Sequence, residues 1–78
     1  MKEKWSSKDF YSCALIRASG IPLSNVVKMN GNFCTFFFDA STEECEELLR
    51  KHWDRTLLLP TRNVIDSIVE LKTRIHGF

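Results

Sequence analysis

An α+β domain is predicted, built in the order helix, β-hairpin, helix, helix and arranged in two layers. Three observations predict it. An Asn30-Gly31 pair sits between two short β-branched and aromatic runs, which is the strongest short hairpin signal. A helical stripe over 45–53 follows a capping box. A second helical pattern opens just after Pro60.

The first helix is expected to start at Ser6 or Ser7. Ser6 with Asp9 three residues on resembles a capping box, and Trp5 precedes it where it could staple onto Phe10. Phe10, Cys13, Ala14 and either Leu15 or Ile16 supply the apolar stripe. Ser19-Gly20 ends the helix, because glycine tolerates the left-handed C′ position and Pro22 blocks continuation.

The hairpin pairs Leu23–Met29 with Asn32–Phe38. A two-residue turn at Asn30-Gly31 sets Val27 opposite Cys34, Asn25 opposite Phe36 and Leu23 opposite Phe38. That register gathers Leu23, Val27, Met29, Cys34, Phe36 and Phe38 on one face as the core. It puts Val26, Phe33 and Phe37 on the other, which is unusually apolar for a solvated face.

Ser41 caps the second helix and Glu44 closes its box. Cys45, Leu48, Leu49, His52 and Trp53 then fall at i, i+3, i+4, i+7 and i+8, one continuous stripe. Glu46–Arg50 and Glu47–Lys51 are expected as ion pairs at i,i+4. The helix should stop near Asp54-Arg55. Thr56 to Leu59 reads as a buried connector or short strand. The last helix runs from about Thr61 to Ile75, with Val64, Ile65, Ile68, Leu71 or Val69, and Ile75 facing inward and Gly77 as C-cap. A hairpin alone is marginal in water, so the helices must cover its apolar face. The Trp5 segment and Leu57–Leu59 are the two candidates for a third strand.

The 78 residues make a single domain, 1–78, with a thin core. No apolar run is long enough to span a bilayer. The basic start Met1-Lys2-Glu3-Lys4 leads into Trp5-Ser6-Ser7-Lys8-Asp9 rather than an apolar signal segment, so the expected location is the cytoplasm. Three widely spaced cysteines, an odd count without C-x-x-C, read as reduced thiols.

Several short motifs together resemble a family of small bacterial and phage proteins classed as a domain of unknown function. They are Trp5-x-Ser7-x-Asp9, then Cys13, Ile16 and Gly20, then Phe36-Phe37-Phe38, His52-Trp53 and Leu71-Lys72. Cys13 stands where that family usually has Ala, and Arg55 where it often has Gly. The resemblance implies the same order of elements and brings no activity with it.

Chemistry is sparse. Cys13, Cys34, Cys45, His52 and His76 are the soft metal ligands, but Cys45 and His52 are two helical turns apart, about 10 Å along the axis. A Cys–His nucleophile pair would need an orienting group and a pocket, and the three glycines form no phosphate loop. Neither a cofactor nor an enzymatic activity is expected.

Two binding readings remain. The leading one is a protein-interaction module, joining a protein partner or a second copy through Val26, Phe33 and Phe37 or through the hairpin's open edges. The other is a small nucleic-acid-binding accessory protein using a basic patch of Arg50, Lys51, Arg55 and Arg62. A net charge of +1 and the adjacent Glu43, Glu44, Glu46 and Glu47 weigh against the second. That acidic-then-basic order also suits the dipole of one helix.

Overall fold

The structure, a computed structural model, describes residues 4–28 and 34–76. Six elements follow one another: β1 (Lys4–Ser7), α1 (Phe10–Ala18), β2 (Leu23–Lys28), β3 (Cys34–Ser41), α2 (Thr42–Trp53) and α3 (Thr61–His76). The strands form an antiparallel sheet in the order β1-β3-β2. The α+β order of helix, hairpin and two helices is the expected one. The Trp5 segment supplies the third strand, whereas Leu57–Leu59 stays irregular.

The centre of the sheet is β3, and its alternation decides the layers. Cys34, Phe36 and Phe38 are buried on one face, while Thr35 and Phe37 are only half-buried on the other. The helices gather over the first face. Cys13, Ala14 and Ile16 of α1, Cys45 of α2 and Leu71 of α3 join Trp5, Phe36 and Phe38 in one core cluster. The shortest dimension is 18 Å, which is room for the sheet and one layer of helices, each about 10 Å across.

Forming β1 changes the start of α1. Ser6 and Ser7 lie in the strand, so no capping box closes there, and Asp9 is the N-cap without a side-chain bond to the helix backbone. Ser7 Oγ instead accepts the Asp9 N–H at 3.0 Å. Trp5 does not staple onto Phe10. It packs on Phe38 with ring centroids 5.5 Å apart, and Phe10 meets Phe36 edge-on at 6.4 Å. Gly20 ends α1 at φ 98°, the left-handed geometry that glycine adopts without strain.

The hairpin register differs from expectation by one residue. Leu23 does face Phe38, but the pairing then slips at Ser24, so that Val26 faces Phe36, Val27 faces Thr35 and Lys28 faces Cys34. The bulge turns both Leu23 and Val26 toward the core, where both pack against it, and Val27 points out. Val26 therefore belongs to the core face, not to the outer one. The Asn30-Gly31 turn, Met29 and Phe33 lie outside the described residues.

The helix that follows β3 is capped as expected: the Glu44 N–H donates to Ser41 Oγ at 3.2 Å, and Ser41 Oγ donates to Glu44 Oε1 at 3.3 Å. It ends in a Schellman arrangement, with Arg55 N–H to the His52 carbonyl and Thr56 N–H to the Lys51 carbonyl. Arg55 takes the left-handed position at φ 62°.

The two adjacent valines of β2 test the register. Val26→Ser should lower stability by about 1–3 kcal/mol, because it removes a core-facing side chain. Val27→Ser should change it by less than about 0.5 kcal/mol. Denaturant midpoints of the two variants would separate the bulged register from the even one, in which the order reverses.

Candidate functional surface

Among the described residues the outer sheet face is mostly polar, with Val27 and Phe37 as its apolar members. Phe37 is half-buried between Ser6 of β1 and Asn25 of β2, and Ser24 Oγ donates to its carbonyl at 3.1 Å. Lys4 and Asp39 form an ion pair at 2.9 Å across the β1–β3 seam. Of the three residues expected to make an interaction face, Val26 faces the core, Phe33 is outside the described residues and Phe37 stands among polar neighbours. The β2 edge is also guarded, since Asn25 Oδ1 accepts the Val26 N–H at 2.9 Å and withholds it from an incoming strand.

Apart from Val27, the large apolar side chains left exposed among the described residues are on the helices or the connector between α2 and α3. The α2 stripe is covered only at its start. Cys45 is buried and Leu48 and Leu49 are half-buried, but His52 is exposed and Trp53 is 74% exposed. The His52 and Trp53 rings lie against each other with centroids 5.1 Å apart. The connector, expected to be buried, carries Leu58 at 89% exposure.

On α3 the inward face is Val64, Ser67, Ile68, Leu71 and Ile75, with Ser67 Oγ donating to the Asn63 carbonyl at 2.7 Å. Ile65, expected inside, and Val69, the alternative to Leu71 for the inner stripe, are more than half exposed, and Leu71 takes the inner position. Ile65 and Val69 share an outer face with Lys72 and His76 at helical spacing.

The charges near this surface are unequally satisfied. Arg50 pairs with Glu47 and, at 3.8 Å, with Asp54, rather than with Glu46. Arg62 pairs with Asp66 at 3.2 Å, and Arg17 with Glu70 at 3.3 Å. The expected basic patch is thus half neutralised: Arg50 and Arg62 have carboxylate partners, whereas Lys51 and Arg55 have no ion pair among the described residues. The Arg17–Glu70 pair lines a cleft of about 240 Å³ with Gly20, Asn63 and Asp66. Its charged groups are engaged with one another or with Arg62.

All three cysteines are buried and unpaired. Burial pushes the Cys13 thiol up to about 12 and the Cys45 thiol up to about 11. At neutral pH both are protonated thiols inside the core rather than nucleophiles. Among the described residues no three His, Cys, Asp or Glu side chains gather as a metal site, and no helix is long and apolar enough to cross a membrane.

Compared with protein-family models, curated proteins and solved structures, the chain matches none. The surface therefore has to be read from its own residues. The signal that could have located it was the length of the α2 stripe, which continues for two turns beyond Cys45.

The raised thiols make stability depend on pH. The unfolded chain ionises these thiols from about pH 9, while folded Cys13 holds its proton until about 12. The unfolded state then binds fewer protons, so stability is full below about pH 9 and is lost as pH rises toward 12. Denaturant midpoints measured from about pH 8 to about pH 11 should fall, and Cys13→Ala should flatten that slope. A wild-type slope that Cys13→Ala leaves unchanged would contradict the burial of this thiol.

Proposed function

We propose that this domain is a non-enzymatic protein-interaction module that docks a partner through apolar side chains left uncovered at the end of α2 and in the connector after it, Trp53 and Leu58. The observation that carries the reading is Trp53, 74% exposed at the end of a stripe whose first residue is fully buried. A large aromatic left in water at the end of an otherwise covered stripe is the kind of side chain that anchors interfaces. The resemblance to small bacterial and phage domains belongs to the same proposal and brings no activity of its own.

A nucleic-acid reading finds less support. Two of its four basic residues are occupied by neighbouring carboxylates, and although the exposed Trp53 offers a ring to stack on, Leu58, Ile65 and Val69 do not.

The double variant Trp53→Ser with Leu58→Ser tests the reading. Both side chains are exposed, so its melting temperature should stay within a few degrees of wild type. Cross-linking and pull-down from the native host should lose the specific partner seen with wild type. Phe37→Ser, on the polar sheet face, should keep that partner. Retention of the partner by the helical variant, or its loss only with Phe37→Ser, would contradict the assignment.

A further inference from the structure

We infer a second docking face, separate from Trp53 and Leu58: the outer side of α3 is one half of a short coiled-coil seam, and its occupant is a helix of another protein that sets a carboxylate against Lys72. Arg62, Ile65, Val69, Lys72 and His76 follow one another at steps of 3, 4, 3 and 4 residues, the a/d spacing of such a seam. At about 100° per residue they fall within an arc of about 80°. All five are exposed. They share one helix, so the face is continuous by itself.

The fold of the chain does not use this face. Ile68, Leu71 and Ile75 of the inner stripe already pack in or against the core. β-branched residues are poor choices for a solvated helix face, because they lose side-chain freedom there. Ile65 and Val69 nevertheless stand one turn apart on it, 53% and 56% exposed. So narrow a stripe suits a second helix, whereas a membrane surface takes a broader apolar face.

Charge names the occupant. Three of the five seam positions are basic and none is acidic. The two carboxylates of α3 lie off the seam and are engaged, Asp66 with Arg62 at 3.2 Å and Glu70 with Arg17 at 3.3 Å. Lys72 and His76 have no ion pair among the described residues. A base in a seam is accommodated when the facing helix brings an acid to it. The complement is a helix with aliphatic residues opposite Ile65 and Val69 and Glu opposite Lys72. A second copy does not supply it. Laid parallel, it sets Lys72 on Lys72 and His76 on His76. Laid antiparallel over Ile65 and Val69, it sets Arg62 beside Lys72.

The test uses stapled helical peptides of 16 residues, the length of α3. They carry Leu opposite Ile65 and Val69, and Glu, Gln or Lys opposite Lys72. Each is titrated into the full chain and followed by methyl NMR. The Glu peptide should bind about tenfold or more tightly than the Lys peptide and weaken as salt rises. It should shift the methyls of Ile65 and Val69 and leave those of Leu58 in place. Lys72→Glu should reverse the order, so that the Lys peptide binds best. Trp53→Ser with Leu58→Ser should leave both affinities unchanged. Equal binding of all three peptides, an order that Lys72→Glu does not reverse, shifts at Leu58 instead, or no binding would each overturn the inference. Concentration-dependent shifts of Ile65 and Val69 in the chain alone would overturn it in favour of a second copy. Shifts produced only by anionic vesicles or only by oligonucleotides would overturn it in favour of those surfaces. Docking at Trp53 and Leu58 stands or falls separately, by the pull-down.

Discussion

Phe36 and Phe38 stand on the same side of the central strand, and the rest of the fold is packed on them. Each is almost wholly buried, and each contributes roughly 1.5–3 kcal/mol by leaving water. Trp5 of β1 closes over Phe38, Phe10 of α1 over Phe36, and Val26 of β2 sits opposite Phe36. Small side chains then let α1 come close: Cys13, Ala14 and Ala18 are all buried on its inner surface. Because β3 lies in the middle of the sheet, its pleat determines which face the helices can use.

That constraint also accounts for the surface left uncovered. One sheet face and one layer of helices give a short chain a limited area to bury. The start of α2 and one side of α3 meet the core, and the α2 stripe continues past it. His52 and Trp53 occupy stripe positions with no element beneath them, and Ile65 and Val69 begin a second stripe turned away from the first. The cysteines follow the same logic in reverse. They lie within the buried core, and burial holds the Cys13 and Cys45 thiols in their protonated form.

Much of this was legible in the residues. The Ser41–Glu44 cap, the end of α2 near Asp54, the Gly20 terminus and the span of α3 are local signals, each read from a few neighbouring side chains. What was not legible depends on partners distant in sequence. A single extra residue at Ser24 moved Val26 from the outer face to the core, and no turn signal reports a bulge. Ser6-x-x-Asp9 has the chemistry of a cap, but pairing Ser6 with Phe37 and Ser7 with Phe36 drew both serines into β1. On α3, Ile65 and Val69 look as apolar as Ile68 and Leu71. Only the position of α1 decides which pair goes inside.

The central claim is that, among the described residues, the most exposed apolar side chains lie on the helices and the connector after α2 rather than on the sheet. Relaxation of methyl protons by a soluble paramagnetic chelate, read by NMR on the isolated chain, measures that directly. The account predicts strong enhancement at Leu58, Ile65 and Val69 and weak enhancement at Val26, Ile16 and Leu71. Protection of Leu58, Ile65 and Val69 together with strong enhancement at Val26 would contradict it.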